Sequence, residues 1–350
     1  MNRYGIMAFE AFTGIGLLGV LQEFRDTAPQ VIESFFRLVS EPVIYQYLPI
    51  AIAAFLLWFV DRRKGDLMLL NMVIAIDLAR MVKNVVKQPR PWVLDPSLED
   101  VEGSAHAGGY SFPSGHATAA TAGYGTFAMV CGSRLWAVLF TVLAAAIVFS
   151  RLYLGAHTPL DVVAGVILAL SIICINGRIH AWAQLSDDNY RKASYGYMIA
   201  LLPVCIAMVC LADRSSGTNA LAFALTYGTL IGRHLEHFRY RCPEAVCDTM
   251  RKVALFILGM VPVVICLLVL PMILGYVPGY AVGGAFTGLW VTLLYPVIMR
   301  RITPVRGIAA ANIQRCRTRQ CINRFLGTKP PKVALNKGFS CSQSVTIFSN

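Results

Sequence analysis

The sequence predicts an all-α fold: a polytopic transmembrane helix bundle of about nine spans, with an active site between helix ends on its outer face. Composition is the first reason. Of the 350 residues, 56% are hydrophobic and 14% are charged, whereas soluble domains carry about 25% charged residues. The order of apolar runs and cationic loops along the chain is the second reason, and three short polar segments between those runs are the third.

Nine apolar segments are long enough, or nearly so, to cross a bilayer. They are residues 43–60, 67–86, 117–131, 135–148, 159–175, 195–211, 218–231, 253–274 and 276–299. The region before them, 1–42, has short apolar stretches broken by charges, which favours amphipathic helices lying at the membrane interface. We therefore expect four regions: the interfacial region 1–42, a catalytic helical core over 43–178, additional spans over 179–299, and a basic, disordered tail over 300–350.

Positive charge is concentrated on one side of this arrangement. The formal net charge is +12, and the chain after Met299 holds ten Lys or Arg residues but no Asp or Glu. The loops rich in Lys and Arg fall on the same side as this tail, which the positive-inside rule assigns to the cytoplasm. We expect a multi-pass protein of the cell membrane with an extracytoplasmic active site and a cytoplasmic tail. Membrane lipids are the expected partners of the basic tail, and nucleic acid is not.

Three polar segments place cations and histidines at the outer ends of the spans. The cations are Lys83, Arg90 and Arg151, which suit the equatorial oxygens of a phosphoryl group in transfer. Ser114 is expected to cap a helix, and Gly115 then offers free backbone N–H groups for an anion.

The histidines supply the groups that phosphoryl transfer still needs, a nucleophile and a proton donor. His157 precedes Thr158-Pro159, a typical helix start, and Asp161 then falls in the first turn, within reach of the His157 ring. A carboxylate on one ring nitrogen fixes the tautomer and leaves the other nitrogen as nucleophile. His116 is then available as general acid.

These segments resemble the three signature motifs of the type-2 phosphatidic acid phosphatase superfamily, which includes glucose-6-phosphatases and sphingosine-phosphate phosphatases. The matching residues are Lys83, Arg90, Pro91, Pro113, Ser114, Gly115, His116, Ser150, Arg151, His157 and Asp161. The resemblance implies a phosphohistidine intermediate on His157, with His116 as the acid. It implies phosphate binding by Lys83, Arg90, Ser114, Gly115 and Arg151, and no cofactor or metal.

For other polar residues the sequence gives weaker evidence of a functional role. Asp77 and Arg80 lie inside the second predicted span, three residues apart and on the Lys83 face. We expect them to form a buried ion pair next to the site, because charges at such depth face the bundle interior. His180 is expected to be solvated. The ten cysteines show neither a disulfide framework nor zinc-ligand spacing.

The sequence supports an integral membrane phosphatase that hydrolyses an amphiphilic phosphate monoester or diphosphate. Other functions stay open. The same phosphohistidine could pass its phosphate to a hydroxyl acceptor, as in a phosphotransferase, or the substrate could be a sugar phosphate. A lipid transporter or lipid-binding protein is a different class, suggested by the spans after residue 178. Neither the substrate's head group and tail nor the oligomeric state follows from the sequence.

Overall fold

The computed structural model describes residues 13–98, 109–211, 216–242, 244–245 and 247–303, with only the backbone of 216, all within one compact unit. The elements over these ranges are helical, and the described part contains no β-strand. The predicted tail, from residue 304 onward, lies outside the described residues. The helices are α1 (Gly16–Thr27), α2 (Gln30–Val39), α3 (Val43–Val60), α4 (Arg62–Val86), α5 (Pro91–Leu94), α6 (115–130), α7 (Arg134–Tyr153), α8 (Pro159–Ala183), α9 (Asp187–Cys210), α10 (216–240), α11 (Thr249–Leu274) and α12 (Tyr276–Ile302).

Six of these helices are long and apolar enough to cross a membrane, namely α3, α7, α8, α9, α11 and α12. The other three predicted spans are also helices, in α4, α6 and α10. Helix α4 is long enough but carries internal charges, α6 is short, and α10 includes polar side chains. The count of about nine spans therefore stays a prediction, whereas the all-helical, multi-pass character is confirmed.

Helix α4 is the central helix of the bundle and contacts α3, α8, α9 and α10. The close approach of α3 and α4 depends on Gly65, where an added Cβ would lie 2.4 Å from the backbone nitrogen of Leu57. The main hydrophobic core forms around this contact and includes Trp58, Met68 and Leu70. The C-terminal end of α4 carries Lys83, so the core fixes one wall of the site.

The N-terminal region packs on the bundle through its two short helices. Both α1 and α2 contact α7. Arg25 donates to the carbonyl oxygen of Tyr153 at 3.1 Å, and the ring of Phe36 lies 4.6 Å from that of Tyr153. Val31 and Phe35 on α2 are exposed, as in an amphipathic helix whose outer face meets lipid.

The expected solvation of His180 is wrong. Helix α8 continues to Ala183, beyond the predicted span end at 175, and carries His180 against the side of α4. There its Nδ1 lies 3.8 Å from Asp66 Oδ2, and Arg233 of α10 forms a two-bond ion pair with the same carboxylate. This buried cluster joins the catalytic core to the C-terminal helices.

Candidate active site

His157 lies in the short connection between α7 and α8 and is almost completely buried. The local sequence explains the turn that holds it. The Thr158 side chain accepts from the backbone N–H of Asp161, and the Asp161 carboxylate accepts from the backbone N–H of Thr158 at 2.8 Å, which together form a capping box. Pro159 begins the helix, where its missing N–H has no cost. The sequence thus fixes His157 one residue outside a rigid helix start.

A serine connects His157 to Asp161. The Ser111 hydroxyl donates to Asp161 Oδ2 at 2.6 Å, so its oxygen is left to accept from His157 Nδ1 at 3.3 Å. The direct distance from His157 Nδ1 to Asp161 Oδ2 is 3.6 Å. Gln88 donates to the other carboxylate oxygen at 3.1 Å. Since the Ser111 proton goes to Asp161, the Ser111 oxygen can only accept from His157, which places a proton on Nδ1 of His157.

The second nitrogen of His157 faces a cation. Arg90 Nη1 donates to His157 Nε2 at 3.1 Å and to the carbonyl oxygen of Ala156 at 2.9 Å. Because a guanidinium cannot accept, Nε2 must carry the lone pair. Burial, followed by the nearby Arg90 charge, lowers the pKa of His157 well below its usual value. The imidazole is therefore neutral near neutral pH, as a nucleophile requires.

Lys83 and the start of α6 lie side by side. Lys83 Nζ donates to the carbonyl oxygens of Tyr110 and Ser111 at 2.8 and 3.0 Å. A Cβ added at Gly115 would lie 3.8 Å from Lys83 Cε. Ser114 caps α6 by accepting from the backbone N–H of Ala117 at 3.4 Å. The N–H groups of Gly115 and His116 have no partner within the helix and lie next to the Lys83 stem.

His116 is held by residues that precede the catalytic motifs. Its Nε2 lies 3.2 Å from the carbonyl oxygen of Ser40. Since a carbonyl only accepts, this nitrogen carries a proton. The His116 ring lies over that of Tyr45, with centroids 3.8 Å apart and planes tilted by 34°. The Ser40 and Ser150 hydroxyl oxygens are 2.6 Å apart, which ties this contact to the third motif.

Arg151 completes the cationic set. It lies at the end of α7, is 1% exposed, and interacts electrostatically with Lys83, His116 and His157. The structure thus brings together the side chains that the three motifs predict, in one largely buried place between the ends of α4, α6, α7 and α8.

The expected ion pair between Asp77 and Arg80 is wrong. Arg80 donates instead to Thr218 and Asn219 of α10, and Asp77 Oδ2 accepts from the thiol of Cys205 on α9 at 3.5 Å. The two side chains bond to partners on α9 and α10 rather than to each other, so no ion pair joins these two described residues, although their charges interact at longer range.

Sequence reasoning missed four residues of the site: Ser40, Tyr45, Gln88 and Ser111. Ser111 and Gln88 lie close to the motifs and could have been proposed from that position. Ser40 and Tyr45 have no signal in the sequence, because they reach His116 only through the packing of α2 and α3. In the described part of the chain, no three His, Cys, Asp or Glu side chains are grouped to hold a metal ion.

The comparison with protein families agrees with this geometry. Residues 67–185 match the profile of the PAP2 superfamily. This segment, about a third of the chain, is similar to the PAP2-superfamily core. It contains every residue of the three motifs, so the resemblance that they indicate is confirmed there. Ser40, Tyr45 and the helices from α9 onward lie outside the matched segment.

Known relatives carry the names of lipid phosphatases. The chain is 33% identical over 144 residues to an undecaprenyl-diphosphatase of Sulfolobus acidocaldarius, which covers 39% of this chain and 65% of that protein. It is 27% identical to Escherichia coli YbjG, provisionally named an undecaprenyl-diphosphatase, over 54% of this chain and 93% of that one. It is 30% identical to human sphingosine-1-phosphate phosphatase 2, over 52% of this chain and 47% of that protein. No solved structure shows a significant match.

Proposed function

We propose that this protein is an integral membrane phosphatase that hydrolyses an amphiphilic phosphate monoester or diphosphate through a phosphohistidine. One observation carries the proposal: the lone pair of His157 Nε2 lies beside Arg90, while Nδ1 is directed to Asp161 through Ser111. A neutral imidazole with one nitrogen fixed and the other next to a cation is arranged to attack a phosphoryl group.

The reaction has two steps. His157 Nε2 forms a bond to phosphorus as the bond to the leaving oxygen breaks, and His116 gives that oxygen a proton. Because the Ser40 carbonyl accepts from Nε2 of His116, Nδ1 is the nitrogen that donates, and His116 enters this step as an imidazolium with a proton on each nitrogen. The negative charge of the bound phosphate favours that protonated form, and the donation leaves His116 neutral with its proton on Nε2. A water then loses a proton to His116 and attacks phosphorus, which breaks the P–N bond and releases phosphate.

Cations and backbone groups stabilise the charge on the phosphoryl oxygens. Lys83, Arg90 and Arg151 surround the position next to His157 Nε2, and the N–H groups at Gly115 and His116 point from the start of α6. In this proposal the cations stabilise the negative charge that a divalent ion stabilises in other phosphatases, so no metal is required.

The substrate class follows from the membrane setting of the site. The matched relatives are named for a polyprenyl diphosphate and for sphingosine 1-phosphate, and a site at helix ends can receive a lipid head group while its tail stays in the bilayer. We further propose nine spans in the cell membrane, with the site extracytoplasmic and the tail cytoplasmic, because the loops richest in Lys and Arg then lie on the cytoplasmic side, as the positive-inside rule requires.

The test is phosphate release by the purified protein in detergent, screened over lipid mono- and diphosphates and over sugar phosphates. We expect turnover of lipid phosphates that persists in EDTA, is inhibited by vanadate, and is absent in His157→Ala. Loss of turnover in EDTA with recovery on adding Mg²⁺ would contradict the proposed site. Labelled phosphate retained in an acceptor lipid rather than released would identify a phosphotransferase instead.

A further inference from the structure

Arg80 is a cation next to the site that the proposed mechanism does not use. It lies one helical turn before Lys83 on α4, and such pairs have Cβ atoms about 5–6 Å apart. Its Nη1 donates to Thr218 Oγ1 at 2.9 Å and to Asn219 Oδ1 at 3.2 Å. Asn219 is itself fixed, because its amide donates to the carbonyl oxygen of Met208 at 3.1 Å. Arg80 is therefore held in one place by α10.

The hydrogen-bond partners of Arg80 are neutral. They are a hydroxyl and an amide oxygen, and the partners of Lys83 are two backbone carbonyls. Among the described residues neither cation has a carboxylate within ion-pair distance. Asp77 interacts with Arg80 electrostatically but forms no ion pair with it. A partly buried guanidinium whose hydrogen bonds go to neutral groups keeps an electrostatic cost, and a bound anion would lower it.

Arg80 lies close enough to Lys83 for the two charges to interact. It interacts electrostatically with Tyr45, with Asp77 one turn earlier on α4, and with Tyr276 and Tyr47, and the ring of Tyr45 lies over His116. Tyr276 begins α12 and packs where α10 begins, since a Cβ added at Gly217 would lie 2.2 Å from its Cε1 atom. The C-terminal helices thus form a wall beside the phosphate pocket.

We propose that Arg80, held by Thr218 and Asn219, is a subsite for a second phosphoryl group adjacent to the one that is transferred. This inference rests on the proposed phosphatase activity. Lys83, Arg90 and Arg151 hold the terminal phosphoryl group at His157. Arg80 binds the inner phosphoryl group, which remains on the lipid, because a guanidinium can donate to two phosphate oxygens at once. The helices beyond the PAP2 core then serve to select lipid diphosphates over monophosphates.

The test compares two substrates that share one prenyl tail, a monophosphate and a diphosphate. We expect wild-type protein to have the higher kcat/KM on the diphosphate. Arg80→Gln should lower kcat/KM on the diphosphate about tenfold or more and change it less than threefold on the monophosphate. Arg80→Lys should retain part of the preference, because it keeps the charge but loses the two-bond geometry. Arg178→Gln, at an exposed position of α8, is the matched control and should leave both values unchanged.

A second measurement does not depend on turnover. Inorganic pyrophosphate should raise the melting temperature of wild-type protein more than inorganic phosphate does, and Arg80→Gln should remove that difference while still responding to phosphate. Equal losses on both substrates, or an unchanged preference in Arg80→Gln, would overturn the subsite. A wild-type protein that hydrolyses no lipid phosphate would contradict the proposed function, and the pyrophosphate difference would still decide whether Arg80 binds a second anion.

Discussion

At the scale of single residues, His116 and His157 have different surroundings and should respond differently to substitution. His157 has no substitute as nucleophile, whereas the proton from His116 matters most when the leaving oxygen is strongly basic. We expect His116→Ala to lower kcat on an alkyl phosphate about 10²-fold or more, the range of general acid catalysis, and much less on an aryl phosphate. Steady-state rates on a matched alkyl and aryl pair measure this. Equal losses would exclude the acid role.

The contact through Ser111 gives a second prediction. Asp161→Asn removes the charge that orients His157, and Ser111→Ala removes the hydroxyl between them. Both should lower kcat with little change in KM, because the interaction serves the attacking ring rather than the bound substrate. Ser171→Ala is a suitable control, since its exposed hydroxyl bonds only within α8, to Ile167 at 2.8 Å. A rise in KM at constant kcat would show that the pair binds substrate instead.

The contacts within the site could be predicted from the sequence only where the two residues are close together in the chain. The spacing from His157 to Asp161 is one helical turn, so their meeting follows from the helix start at Pro159. Ser40 and Tyr45 also contact His116, but both are far from it in the chain. Ser40 precedes it by 76 residues, and no local pattern predicts such a contact. The ion pair assigned to Asp77 and Arg80 failed for the same reason, because α9 and α10 supply closer partners.

At the scale of elements, the site depends on how closely α8 approaches α6. A Cβ added at Gly165 would lie 2.7 Å from the carbonyl oxygen of Ser114 and 2.9 Å from Thr118 Oγ1, whereas one added at Gly177 on the same helix meets nothing within 4 Å. Gly165→Ala should therefore push the second motif away from the third and cost about 1–3 kcal/mol of stability.

Gly177→Ala is the matched control for this change. Glycine inside a helix is less favourable than alanine by about 0.5–1 kcal/mol, so this variant should be as stable as the wild type or more so. Melting temperature and kcat of both variants are the measurements. If Gly165→Ala were as stable and active as Gly177→Ala, the close packing of α6 and α8 would not position the site.

Apolar runs predicted the existence of the helices better than their ends. The predicted span 159–175 is part of α8, which ends at Ala183, because the polar residues after 175 are paired inside the bundle rather than solvated. Asn176 donates to Asn71 at 3.0 Å, and His180 lies against Asp66. Hydropathy alone cannot separate a polar residue in solvent from one with a buried partner.

At the scale of the whole molecule, the distribution of cationic loops predicts an orientation in the membrane. Cysteine placed at Val93, which is 63% exposed, should react with a membrane-impermeant maleimide in intact cells. Cysteine at Leu185, which is 52% exposed, should react only after permeabilisation. Both cysteines are introduced into a variant that lacks the native cysteines and retains activity. The opposite pattern would place the site on the cytoplasmic side.

The central claim is that phosphate passes through His157, and direct detection of that intermediate tests it most directly. Purified protein is mixed briefly with a lipid phosphate labelled with ³²P in the terminal phosphoryl group, quenched in base, and digested for peptide mapping. The account predicts label on His157 that is stable in base and lost in acid, and no label in His157→Ala. Label on another residue, or turnover by His157→Ala at the wild-type rate, would contradict it.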